Sequence, residues 1–141
     1  MRFWDASALI PLLANQSPRL RLLELLDQDA EILAWWGTTV EISSVLARRE
    51  REKLLNSDEI AGALVATREL SESWHEVMPS DAVRQTAERL LRVHSMRAVD
   101  SLQLAAALIA ADHDTTAFEI VCLDGRLSSA ARREGFTVID I

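Results

Sequence analysis

Four acidic residues stand where their side chains could do chemistry together. Asp5 directly follows the apolar run "MRFW", and Asp124 directly follows "AFEIVCL". Glu41 lies about one helical turn beyond the run "EILAWW", and Asp100 opens the apolar stretch "RAVDSLQLAAALIAA". Carboxylates gathered in one crevice repel each other and cannot all stay ionised without cations. Hard divalent ions take oxygen ligands, and Mg2+ uses one or two carboxylates together with waters and substrate phosphates. A cluster of this kind holds one ion or a pair about 3.5–4 Å apart, suited to activating water and stabilising the leaving oxygen of a phosphodiester.

Each acid also has a plainer reading. All four lie near helix N-termini, where a carboxylate caps free N–H groups and suits the helix dipole. Thr38 and Glu41 have the T-x-x-E spacing of a capping box, Asp100 and Gln103 can make a similar pair, and Asp5 and Asp124 suit N-cap positions. Caps accept Ser, Thr and Asn as readily as Asp. Carboxylates at all four positions, three of them beside strand ends, therefore exceed what capping asks for.

Competing chemistries are absent. His75, His94 and His113 stand in separate segments. The lone Cys122 excludes a disulfide framework and reads as a buried, inert thiol. Ser7 and Gln103 are placed to orient carboxylates by hydrogen bonding, although either can be read as a cap. Arg97, three residues before Asp100, is the candidate phosphate contact. Arg48, Arg49, Arg51, Lys53 and Arg126 read mainly as solvated helix faces.

The elements that must position these residues follow from the hydrophobic pattern. Short apolar runs ("MRFW", "EILAWW", "HEVMP", "AFEIVCL", "FTVIDI") alternate with helical segments. Pro11 is expected to interrupt the first helix, and Ser17-Pro18 to cap the second. Trp35 and Trp36 should point to opposite faces of their strand, one into the core. The leucine-rich helix "RLRLLELLDQD" has more leucines than one face can hold, which leaves some for a partner. Alternating strands and helices imply an α/β domain, residues 1–141, with a mostly parallel sheet covered on both faces. Ligands bind such sheets outside the carboxyl ends of the strands. Asp5, Glu41 and Asp124 converge there, and Asp100 joins them if its helix starts at the same edge.

A net charge of −7 over 141 residues argues against a broad basic surface for nucleic acid. It leaves room for a small site where bound cations offset the acids. No apolar run reaches the roughly 18 residues that span a bilayer, and "MRFWDASAL" lacks a signal-peptide pattern, so a cytoplasmic protein is expected.

The segments "MRFWDASALIPLL", "WGTTVEISSVLARRERE", "RAVDSLQLAAAL" and "IVCLDGRLSSAARREGF" resemble, in order and spacing, the motifs of PIN-domain ribonucleases. Among these they are most similar to the VapC-like toxins of toxin–antitoxin pairs. The resemblance implies a three-layer α/β/α sandwich and a Mg2+- or Mn2+-dependent endoribonuclease acting on RNA. It places Asp5, Glu41, Asp100 and Asp124 on the family's acidic positions, and Ser7 on the small hydroxyl residue beside the first acid. It also implies a homodimer and a cognate antitoxin protein. One departure is Cys122, which stands where many relatives carry Ser or Thr before the fourth acid. Two other readings are a non-catalytic PIN-like module for RNA binding or scaffolding, and a receiver-like signalling domain. The second lacks both a phosphoacceptor Asp after "HEVMP" and a strand-end Lys.

Overall fold

Strand β1 (Arg2–Trp4) lies at the centre of the sheet and sets the frame for everything else. The computed structural model describes residues 1–141. From β1 the chain runs through helices α1 (Ala6–Leu13) and α2 (Arg19–Gln28) to β2 (Ile32–Trp35). Helices α3 (Thr38–Arg51) and α4 (Ser57–Ser71) lead to β3 (His75–Val77). Helices α5 (Asp81–Val93) and α6 (Ala98–Ala110) precede β4 (Ile120–Val121), and α7 (Gly125–Arg133) precedes β5 (Val138–Ile139). The strand order is β3-β2-β1-β4-β5, and every pairing is parallel.

The chain first winds from β1 towards β3, then returns to the other side of β1 to lay down β4. The strand order therefore reverses between β1 and β4, and ligands bind sheets of this kind outside the carboxyl ends at such a reversal. Asp5 directly follows one of these strands, and Asp124 follows the other by three residues.

Side-chain alternation divides the core into two layers. Phe3, Leu33, Trp35, Ile120 and Val138 face the helices α5, α6 and α7. Trp4, Ile32, Ala34 and Val121 face α1 to α4. The result is the expected three-layer α/β/α sandwich around a parallel sheet. Helix α6 is the central buried helix, with Leu104 to Leu108 all buried, as its nearly unbroken apolar sequence requires. Trp35 is core, whereas Trp36 is about half exposed (48%). On α2, Leu22 and Leu25 are buried and Leu20 faces solvent. Leu23 and Leu26 line a shallow apolar groove with Leu12, Leu13 and Leu70. No helix is long and apolar enough to cross a membrane.

Several local expectations are corrected. Helix α1 runs through Pro11, which is buried in it. Proline there removes one backbone donor late in a short helix, and core packing carries that loss. Helix α2 starts at Arg19 after Pro18 and has no side-chain cap, so Ser17 does not cap it. Helix α3 has Gly37 at its N-cap and no capping box. Thr38 is its first helical residue, completely buried, with its hydroxyl turned to Gln103. Asp100 caps the backbone N–H of Arg97 and does not pair with Gln103.

Candidate functional site

Asp5 is the N-cap of α1 and almost fully buried. Its carboxylate accepts the backbone N–H of Ser7 at 2.9 Å and the Ser7 hydroxyl, and the Cys122 thiol lies 3.6 Å away. Burial pushes the Asp5 carboxyl above its usual range, the Ser7 and Cys122 bonds oppose this, and the Asp124 charge adds to it. The Ser7 hydroxyl oxygen in turn accepts the backbone N–H groups of Leu123 (2.9 Å) and Asp124 (3.2 Å). One side chain thus ties the end of β1 to the turn after β4, across the strand-order reversal.

Glu41 enters from the first turn of α3 and is partly buried. It accepts the Gln103 amide at 2.8 Å. Its carboxyl is pushed up to about 8, first by burial and then by the Asp5 charge, with Asp100 adding to the shift and Gln103 and Arg97 opposing it. Gln103 is fully buried on α6 and also donates to the Thr38 hydroxyl at 3.2 Å. Its carbonyl oxygen is buried without a hydrogen-bond partner.

Asp100 sits one turn earlier on α6, buried, and accepts the Arg97 backbone N–H at 3.1 Å. Asp124 caps α7, where its Oδ1 accepts the N–H groups of Arg126 and Leu127, both at 2.9 Å. The Arg97 guanidinium spans these two acids. Its Nε lies 3.3 Å from Asp100 Oδ2, and its Nη2 lies 3.8 Å from Asp124 Oδ2.

All four acids therefore act on one another or on a shared neighbour at a single edge of the sheet. Asp124 acts on Asp5, Asp5 and Asp100 act on Glu41, and Arg97 faces Asp100, Asp124 and Glu41. As placed, no three acidic, His or Cys side chains lie close enough to hold a metal ion. Asp5 is turned to Ser7, and Asp100 and Asp124 are turned to Arg97. In type, however, the donors suit a hard divalent cation: they are all oxygen, their charges conflict, and an unpartnered buried carbonyl stands beside Glu41.

The remaining candidates stand apart. His94 pairs with Glu134 at 2.7 Å, and His75 and His113 are exposed in other segments. Burial pushes the Cys122 thiol up to about 12, which keeps it protonated. The sequence did not disclose that Ser7 reaches the turn after β4, that Thr38 holds Gln103, or that Cys122 adjoins Asp5.

No family model matches the chain. Two curated proteins of Mycobacterium tuberculosis, ribonuclease VapC45 and ribonuclease VapC49, are each 28% identical to it over 139 residues, covering 96% of this chain and 92% of theirs. The similarity to these two ribonucleases runs over almost the whole length of the chain. Solved structures share the fold at lower identity. A toxin–antitoxin complex from Klebsiella pneumoniae matches with a TM-score of 0.67 at 15% identity, covering 99% of this chain and 97% of that one. FitAcB from Neisseria gonorrhoeae matches with a TM-score of 0.63 at 16% identity, covering 99% and 97%. FitAB bound to the IR36 DNA fragment matches with a TM-score of 0.64 at 14% identity, covering 99% and 94%. The fold shared with these structures agrees with the architecture expected from the motif order.

Proposed function

We propose that this chain is a metal-dependent endoribonuclease and the toxin of a toxin–antitoxin pair. The observation that carries the reading is the acidic crevice at the strand-order reversal, where burial and neighbouring acids push Glu41 up to about 8. Carboxylates that raise one another's proton affinity suit a divalent cation, which would offset their charges once their side chains turn towards it. The ribonuclease names of the VapC relatives favour RNA as substrate. The toxin–antitoxin complex among the structural neighbours favours an antitoxin partner. A homodimer in the cytoplasm is part of the same reading and rests on the sequence resemblance alone.

In this reading Asp5, Glu41 and Asp100 hold Mg2+ or Mn2+, and Asp124 holds a second ion or orients the attacking water. The cation, when bound, supplies charge neutralisation and Lewis acidity for phosphodiester hydrolysis at neutral pH. Ser7 fixes the Asp5 carboxylate relative to the turn that carries Asp124. Gln103 fixes Glu41. Arg97, at the mouth of the crevice, contacts the scissile phosphate. The non-catalytic module and the receiver-like domain gain no observation of their own from the structure.

The test is cleavage of RNA by the purified protein with Mg2+ or Mn2+, with and without EDTA, and with single-stranded DNA alongside. Asp5→Asn and Asp100→Asn should abolish cleavage while the fold survives, because an asparagine oxygen still accepts the capping N–H groups. Cleavage that persists in both variants, or that EDTA leaves untouched, would end the metal reading.

A further inference from the structure

Arg97 is the one basic side chain paired with the acids of the crevice. Its Nε and Nη2 lie 3.3 and 3.5 Å from the two oxygens of Asp100, and its Nη2 lies 3.8 Å from Asp124. Its backbone does separate work, because the N–H of Arg97 donates to Asp100 whatever the side chain is. The guanidinium is about two-thirds exposed, so it reaches into the crevice from solvent and can return there at small cost.

Compensation in the crevice is one-sided. Arg97 covers the wall formed by Asp100 and Asp124. Asp5 and Glu41 have only neutral hydrogen-bond donors, from Ser7, Cys122 and Gln103, and the Arg97 charge reaches Glu41 without a hydrogen bond. The buried carbonyl of Gln103 beside Glu41 has no donor at all. The chain's own cation is thus hydrogen-bonded to Asp100 and close to Asp124, and neither Asp5 nor Glu41 is hydrogen-bonded to a charged group.

We propose that Arg97 is the crevice's own counter-ion, which competes with the divalent cation for Asp100 and Asp124 and moves out when the cation enters. The idea rests on the metal reading and sharpens it. Arg97 sets how much Mg2+ or Mn2+ is needed to load the site, and loading frees its guanidinium at the mouth, where a substrate phosphate would lie. The two states use the same five donors of the guanidinium, first for carboxylate and then for phosphate. An arginine in this place offsets the charges of Asp100 and Asp124 in the metal-free protein without hydrogen-bonding to Asp5 or Glu41.

The experiment is direct Mn2+ binding by calorimetry on the full-length, metal-free protein at low salt, without RNA. Wild type is compared with Arg97→Gln, Arg97→Lys and Asp5→Asn, each checked for folding by circular dichroism. Arg97→Gln should bind Mn2+ about two- to fivefold more tightly, a range set by the modest strength of exposed ion pairs. Arg97→Lys should stay near wild type, and the gain should shrink as salt rises. Asp5→Asn should bind more weakly than wild type. If Asp5→Asn loses Mn2+ but Arg97→Gln binds no more tightly than wild type, the counter-ion role is wrong and the metal site stands. If wild type and Arg97→Gln both fail to bind Mn2+, the metal reading falls and the counter-ion role falls with it.

Discussion

The Gln103 amide donates to Glu41 Oε1 at 2.8 Å, joining α6 to α3 across 62 residues of sequence. Glu41 is pushed up to about 8 despite this bond, so the amide is one of the few things favouring its charged form. Gln103→Leu keeps the volume, removes the donor and also removes the unpartnered carbonyl. It should leave the fold intact and lower RNA cleavage about 10- to 100-fold, the usual scale for losing the group that orients a metal-binding carboxylate. Initial rates across a Mn2+ titration measure this. Unchanged rates would show that Gln103 only fills the core.

The pH dependence of stability has a definite sign. Asp5 and Glu41 both have raised carboxyls in the folded chain, from ordinary values of 3.8 and 4.5. Between those values and the raised ones, the folded state binds more protons than the unfolded state, so stability falls as pH rises. Glu134 has the opposite shift, held low by Arg89 and His94, and its contribution is lost only as pH drops below about 4.5. The metal-free protein should therefore lose melting temperature between about pH 5 and pH 8. Millimolar Mn2+ should restore more of it at pH 8 than at pH 5, because cation and proton compete for the same oxygens. A melting temperature that rises across this window without metal would contradict the burial of these acids.

What could be read from the sequence depended on range. The parallel sheet was legible because apolar runs of strand length alternate with helical patterns, and the position of Asp5 directly after β1 followed, whereas β4 ends at Val121 and leaves Asp124 in the turn beyond it. Caps were misread at Thr38 and Ser17, and Asp100 caps its helix as expected but with Arg97 and not Gln103 as its partner. A local motif specifies what a side chain can bind, and tertiary packing decides what it does bind. Thr38 is buried against α6, so its hydroxyl goes to Gln103 and not to its own helix. The bridge from Ser7 to Leu123 and Asp124 spans 116 and 117 residues, and no periodicity carries such a pairing. The link from Arg97 to Asp100 was within reach of sequence, at three residues along one helix start. Its reach to Asp124 was not.

Ser7 offers a sharper test of the crevice's construction. Its hydroxyl donates to Asp5 and accepts from two backbone N–H groups, so Ser7→Ala strands two donors and deprives a buried carboxylate of one. The expected cost is about 1–3 kcal/mol, the scale for leaving buried polar groups unsatisfied. Urea unfolding measures it, and cleavage should fall together with stability because the turn bearing Asp124 is no longer pinned to Asp5. A loss below about 0.5 kcal/mol, the range of ordinary surface substitutions, would mean that the bridge contributes nothing.

Cys122 supplies a test that needs no substrate. The thiol is buried beside Asp5 and Ser7 and pushed up to about 12 by burial and by the Asp5 charge. At pH 8 only about one molecule in ten thousand would carry the reactive thiolate, because each unit below the pKa costs a factor of ten. Iodoacetamide should therefore leave the native chain unmodified over hours, and guanidinium chloride should make Cys122 react at the rate of an ordinary thiol. Mass spectrometry follows both. The same result bears on the crevice: the thiol is shielded by the packing that buries Asp5, so rapid labelling of the native protein would show that the Asp5 pocket is open to water and that its carboxyl is not raised.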